Sequence, residues 1–345
     1  MTGILDVARA ARVSPATVSR ALRGLPGVSD TTRTQVQEAA ARLGYSASPA
    51  ASSLSSGRTN TIGVIAPWVT RWYFTALIDG VNSVLSPSGF DMLLFGTDID
   101  QQVSAAKLST MTKRVDGLVV LCLPELAHQA SALAQPPKVV LVGAAPLDLV
   151  TVAIDDGEVG RLAGRHLIAL GHRRIAYVGM ETVSPRILPV AQVRHRGLLE
   201  VMGQAGLTMD EGDVISCELS VAGGEASAEA LCARADRPTA VVAVSDEIAM
   251  GLIHRLRLLG VRVPEDMSVV GVDGHEMSRV FGLTTVVQPV REQGAIAVRL
   301  LMDALAGDQT ESVLTPVTLA VRSTTAPPST PAGAPNRTHR TSVQH

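Results

Sequence analysis

Apolar positions along the first 45 residues recur three and four apart, whereas from Thr61 onward they arrive in short unbroken runs. The first pattern is that of amphipathic helices and the second that of strands buried on both faces. Ile4, Val7, Ala8 and Ala11 share one helical face, and after a break Val18, Ala21 and Leu22 make another. Ser14 suits an N-cap and Pro15 the first helical position, where no donor is needed and its fixed φ is already helical. The spacing therefore predicts a second helix starting at Pro15. A third helix is expected after Ser29, with Val36, Ala39, Ala40 and Leu43 as its apolar stripe and Gly44 as its stop.

Between these patterns lies SASPAASSLSSGRTNT, Ser46 to Thr61, rich in Ser and Ala and poor in large apolar residues. It reads as a linker whose part from Pro49 to Ser56 folds as a helix only when docked, since isolated helices of that length are marginal in water. From Thr61 come TIGVIAP, FDMLLFGT, GLVVLCL, KVVLVGA, TVAID, RIAYVG, DVISCEL, TAVVAVS and SVVGVD, each followed by a turn and usually an amphipathic segment. That alternation predicts parallel α/β sheets, and its length exceeds one doubly wound sheet, so two lobes are expected. The expected division is a helix-turn-helix headpiece at 1–46, a hinge at 47–60, and a core at 61–325. Within the core, lobe 1 takes about 61–157 and 289–308, and lobe 2 about 158–288 and 309–325. The Pro-, Thr- and Ser-rich residues 326–345 are expected to be disordered.

Composition sharpens this picture at a few points. The net charge of -2 conceals an asymmetry, because residues 1–60 hold seven Arg against Asp6, Asp30 and Glu38. Positive charge is concentrated where a polyanion would bind. The longest apolar runs fall well short of the roughly 18 residues that cross a bilayer, and no signal peptide pattern opens the chain, so a cytoplasmic protein is expected. Cys122, Cys217 and Cys232 are widely spaced and odd in number, which fits reduced structural residues. The tail has no heptad pattern that could join four chains, so a dimer is expected.

Candidate chemistry sits in two places. The outer face of the second helix presents Pro15, Ala16, Thr17, Ser19, Arg20 and Arg23, small or cationic side chains around a helix N-terminus that suits a major groove. The bland reading of the same stretch is a helical hairpin with a solvated basic face. Downstream, Asp155 ends TVAID, Asp246 follows AVVAVS and Asp273 ends SVVGVD, so three carboxylates can converge at strand ends, where open parallel sheets bind ligands. Trp68, Trp72, Tyr73 and Phe74 crowd after the first strand in a chain with only 3% aromatic residues. Carboxylates beside aromatic faces suit a polyhydroxylated ligand such as a sugar or nucleoside, although each Asp alone also fits a helix cap. Leu54, the one large apolar residue of the linker, either packs on its own protein or wedges into a minor groove. His172 in LGHRR reads as a packed turn residue. No GxSxG, P-loop or HExxH is present, and neither catalysis nor a cofactor is expected.

The order of these features resembles the lac repressor and purine repressor family of bacterial transcription regulators, through nearly the whole chain to about Ala326. The resemblance is carried by DVARAARVSPATVSRAL, VSDTTRTQVQEAAARLGY, SSGRTNTIGVIAP, RVDGLVV, HLIALGHRRIAYVG, RPTAVVAVSDEIAMG, VRVPEDMSVVGVDG and LTTVVQPV. It implies a small all-α headpiece, a hinge helix and a two-lobed core similar to periplasmic sugar-binding proteins. It also implies a homodimeric repressor on pseudo-palindromic operator DNA, modulated by a small-molecule effector; an activator, or a sugar-binding protein of the same core, is the other reading. By that resemblance Pro15, Ala16 and Arg20 face bases, Ser14, Thr17 and Ser19 hold the DNA backbone, and Leu54 enters the minor groove. The effector residues it implies are Arg71, Trp72, Tyr73 and Phe74, with Asp155, Arg194, Asp246 and Asp273. Gln192, two residues before Arg194 where some members carry another Arg, is expected in the same effector site.

Overall fold

The computed structural model describes residues 3–22, 24, 26–45, 58–97, 103–143, 148–179 and 190–329. Most of the expected hinge, with Leu54, and all but 326–329 of the expected tail lie outside the described residues, as does Arg23.

The headpiece forms from three helices, α1 (Ile4–Ala11), α2 (Pro15–Leu22) and α3 (Asp30–Arg42). The start at Pro15 is as the sequence predicts, and Ser14 Oγ accepts from the Thr17 amide at 3.1 Å. Ser29 caps α3 through the Thr32 amide in the same way. Val7, Ala11, Val18, Ala21, Val36 and Ala39 fill the small core, and Arg33 donates to the Ala21 carbonyl at 3.0 Å, tying α3 to the end of α2. Leu43 departs from the expected stripe. It follows the last turn of α3 and is 38% exposed.

The core has two six-stranded sheets. In the first the order is β11-β5-β4-β3-β1-β2, from β1 (Thr61–Ala66), β2 (Asp91–Gly96), β3 (Gly117–Leu121), β4 (Lys138–Val142), β5 (Thr151–Ala153) and β11 (Val313–Leu314). The second runs β12-β10-β9-β8-β6-β7, from β6 (Ile175–Val178), β7 (Val214–Ile215), β8 (Ala240–Ala243), β9 (Ser268–Asp273), β10 (Thr284–Val287) and β12 (Thr318–Ala320). Among the described strands, only β10 and β12 pair antiparallel. The chain crosses between sheets after β5, after β10 and after β11. Because β11 extends the first sheet beside β5, residues 313–314 belong with lobe 1, and the segment 309–325 divides between the lobes rather than lying wholly in lobe 2.

Helices cover the sheets: α4 (Trp72–Leu85), α5 (Ala105–Thr112), α6 (Pro124–Ser131), α7 (Asp156–Ala169), α8 (Val190–Gln204), α9 (Val221–Cys232), α10 (Asp246–Leu258), α11 (Ser278–Phe281) and α12 (Val290–Ala306). The crossing of α7 and α8 is set by glycine. A Cβ on Gly160 would collide with the Arg194 carbonyl, and one on Gly197 with the Gly157 carbonyl. Both backbones must approach without side chains between them, which fixes where Arg194 stands relative to the start of α7.

His172 is buried as a turn residue. Its Nδ1 lies 2.9 Å from Thr239 Oγ1 and its Nε2 2.9 Å from the Ala326 carbonyl, so it pins the last described segment under the second sheet. Thr324 continues the attachment, its carbonyl accepting from the Val269 amide.

Two outcomes follow. Gly197→Ala must push the helices apart and is expected to cost about 1 to 3 kcal/mol in denaturant unfolding; an unchanged midpoint would show that the crossing has slack. Burial holds the imidazoles of His172 and His166 below their ordinary 6.5. The folded chain then binds fewer protons than the unfolded one, so this stability is present above pH 6.5 and lost as pH falls through the lowered values. The melting temperature of His172→Gln should depend less steeply on pH between about 5 and 7 than that of the parent.

Candidate functional sites

In the headpiece, the burial of Val18 and Ala21 turns the opposite side of α2 to solvent. Ser14, Pro15, Ala16 and Arg20 are exposed, and Thr17 and Ser19 half-buried. Ser14 Oγ also lies 2.9 Å from Thr17 Oγ1, so both hydroxyls gather at the helix start beside the small Pro15 and Ala16. Arg20 sits on the same exposed face one turn further along. Hydroxyls at a helix start are groups that can hold phosphates, and an exposed arginine is long enough to reach base edges.

The second site lies at the C-terminal ends of the two sheets. The Asp-Asp doublet after β5 splits between two tasks. Asp155, the residue singled out from sequence, is exposed and caps α7: its Oδ1 accepts from the Glu158 amide at 2.9 Å and its Oδ2 from Arg161 at 2.8 Å. Its neighbour Asp156, which the sequence reading passed over, turns inward and accepts from Arg194 Nε at 2.8 Å. Consecutive helical residues point about 100° apart, so a doublet at a helix start can cap with one carboxylate and bury the other. Arg194 is itself buried and donates through Nη1 to the Val244 carbonyl at 2.6 Å.

Asp246 and Asp273 come together from β8 and β9. Asp246 has no exposed surface, and its oxygens accept from Thr285 Oγ1 at 2.6 Å and from the His275 amide at 2.7 Å. Asp273 has φ 119°, a strained backbone for a residue with a side chain, and accepts from Gln288 Nε2 at 2.6 Å. Gln288 in turn accepts from Gln293 at 3.3 Å, so a hydrogen-bonded chain runs from the second sheet through the crossing after β10 into α12. Neither glutamine was marked from sequence. Amides carry no charge signal, and both face inward only because the crossing turns there.

Burial dominates the electrostatics. It pushes the Asp246 carboxyl up to about 8, with the Asp273 charge adding and the Thr285, His275 and Gly274 donors opposing. Burial likewise pushes Asp273 up to about 7 against the pull of Arg194 and Gln288. Asp156 is raised by burial despite Arg194. The Cys122 thiol, at the end of β3, is pushed up to about 12 by burial, against the Tyr73 hydrogen bond that lowers it. The Tyr73 hydroxyl of lobe 1 is raised by burial, with the charges of Asp273 and Asp156 adding and that of Arg194 opposing.

Aromatic residues wall the lobe 1 side. Trp68 and Tyr73 pack edge-on to Phe74 at 5.6 and 5.2 Å, and the Arg71 guanidinium lies over the Trp68 ring at 4.1 Å. Phe74 is buried in the lobe 1 core, and Trp72 reaches across to His275 at 4.6 Å between ring centres. Gln192 is exposed on α8; two residues before Arg194, it projects away from the cluster that Arg194 enters. Among the described residues, no group of three or more His, Cys, Asp or Glu is placed to hold a metal ion.

Residues 3–48 match the family described as bacterial regulatory proteins, lacI family, and residues 165–325 the periplasmic binding protein-like domain. The HTH-type transcriptional repressor PurR of Vibrio cholerae is 34% identical over 312 residues, covering 88% of this chain and 92% of that protein. Among solved structures, the lac repressor dimer bound to operator and the anti-inducer ONPF superposes with TM-score 0.83 at 24% identity, covering 94% of this chain and 99% of that one. The transcriptional regulator CelR in complex with cellobiose gives TM-score 0.65 at 29% identity, covering 94% and 100%. With a helix-turn-helix headpiece ahead of two parallel-sheet lobes, the chain belongs to the lacI family of bacterial regulatory proteins and is a DNA-binding transcription regulator.

Proposed function

We propose that the protein is a homodimeric repressor of a pseudo-palindromic operator, released or tightened by a sugar or similar polyhydroxylated metabolite held between its lobes. The observation that carries this reading is the buried ion pair of Arg194 with Asp156 at the strand ends, near the buried carboxylate of Asp273. A buried donor beside a buried acceptor suits vicinal hydroxyls, each of which both gives and takes a hydrogen bond. The cellobiose held by the structurally similar CelR supports a sugar, and the repressor PurR among the relatives supports the sign of regulation.

The same reading makes the protein a binding device rather than a catalyst, and places it in the cytoplasm with its DNA. No described helix is long and apolar enough to cross a membrane. Asp155 acts as the cap of α7 and bears on the ligand only through Asp156 beside it. Ser14, Thr17 and Ser19 hold the DNA backbone and Pro15, Ala16 and Arg20 the bases. Arg23, on the outer face of the second helix, and Leu54, as a minor-groove wedge, complete the DNA-binding set that the sequence indicates.

Screening sugars by thermal shift should identify a ligand that stabilises the protein. Asp273→Asn should then lower its affinity at least about tenfold, the loss of a charge-assisted hydrogen bond; undiminished affinity would leave Asp273 a structural acceptor for Gln288. On a selected operator, Arg20→Ala should cost about 1 to 3 kcal/mol and relax the preference at one base pair. A uniform loss across all sequences would make Arg20 a phosphate contact instead.

A further inference from the structure

The turn after β9 does two things at once. Its first residue, Asp273, faces the cluster at the strand ends, and its third, His275, crosses to lobe 1 and lies against Trp72 with ring centres 4.6 Å apart and planes 33° from parallel. The three chain crossings are the covalent links between the lobes; this ring contact is a non-covalent one, made at the N-terminal end of α4.

His275 is held from two sides. Its amide donates to Asp246 Oδ2 at 2.7 Å, and its Nδ1 accepts from the Met277 amide at 2.9 Å, which leaves the proton of the neutral ring on Nε2. Asp246 cannot be spared from that task. It has no exposed surface, its other oxygen takes the Thr285 hydroxyl, and the Gly274 amide also donates to it. A group so enclosed meets no ligand directly. It holds from beneath a turn containing the strained Asp273 and Gly274 at φ 76°.

We propose that Asp246 is a positioning residue, and that through the turn it fixes His275 as a latch that closes the two lobes on each other by stacking on Trp72. The ligand-facing Asp273 and the latch then sit on one rigid segment, so that a ligand drawing on Asp273 also sets how firmly the lobes are joined. This deepens the reading of the cleft as the effector site and rests on it for its purpose, but the latch is testable with no effector present.

The chain has two tryptophans, Trp68 and Trp72, so Trp68→Phe leaves the latch tryptophan as the sole indole. A protonated imidazole in contact with an indole quenches its emission, a neutral one much less. Glu247 on α10 and Glu276 on the turn favour protonation of His275, and Asp246 lies against its amide, while burial opposes protonation and prevails, holding the ring below 6.5. In the Trp68→Phe protein the emission should therefore fall as pH drops from 7 to 5, with a midpoint below 6.5. It should stay flat when His275→Gln is added.

Asp246→Asn and Thr285→Val are then each added to Trp68→Phe. Both leave Trp72 and His275 in place and disturb only the support beneath the turn. The expected result is loss of the pH-dependent quench, with Trp72 more accessible to acrylamide, in folded protein as judged by far-ultraviolet circular dichroism. Should Asp246→Asn fail to fold, Thr285→Val, which removes one donor and adds no polar group, decides alone. A flat profile in Trp68→Phe itself overturns the latch, and full quench retained in every folded support variant overturns the role of Asp246. Neither result touches the effector reading, which stands or falls with ligand binding by Asp273→Asn.

Discussion

The ion pair between Asp156 and Arg194 sets the geometry on which the rest of the cleft depends. Both partners are buried, and removing two charges from water costs several kcal/mol per ion unless the geometry is close and the remaining donors are used. Arg194 meets that condition with Nε on Asp156 and Nη1 on the Val244 carbonyl. It can do so only because α7 and α8 cross with no side chain between Gly160 and the Arg194 backbone. The crossing, the pair and the end of β8 thus form one unit, and a fault in any of them leaves a buried charge without its partner.

That unit also decides the polarity of the cleft. Once Arg194 is spent largely on Asp156, Asp273 and Asp246 share the space with little cationic compensation, and burial raises both carboxyls toward neutrality. Asp246 is already served by Thr285 and the turn amides, so the site rewards a ligand that brings a donor to Asp273, a carboxylate that the protein alone holds at a cost. Hydroxyl groups supply such donors without adding charge.

Legibility in the sequence followed the range of the forces involved. The start of α2, the Ser14 and Ser29 caps and the strand runs were all readable because they depend on residues a few positions apart. Asp246 and Asp273 were readable as carboxylates at strand ends, but not the difference between them, because that depends on Thr285 and Gln288, about 40 and 15 positions away. The sequence points to Asp155 over Asp156 because Asp155 ends the strand run, whereas the decisive fact is which of the two occupies the cap. His275 carried no motif at all. Its significance comes from Trp72, some two hundred residues earlier and in the other lobe.

A regulator of this kind needs a coupling free energy of only a few kcal/mol between cleft and DNA, and each ligand must bind one arrangement of the protein better than another to supply it. The polar contacts across the cleft are of that size individually. Asp273 reaches α12 through Gln288 and Gln293, and the same turn reaches α4 through His275 and Trp72. α4 and α12 pack on each other with Gly80 and Gly294 set against the facing backbone, so the two routes end in one rigid pair of helices in lobe 1. A change at Asp273 is therefore delivered to that pair at both points together. The contributions of the two contacts then add on one rigid body.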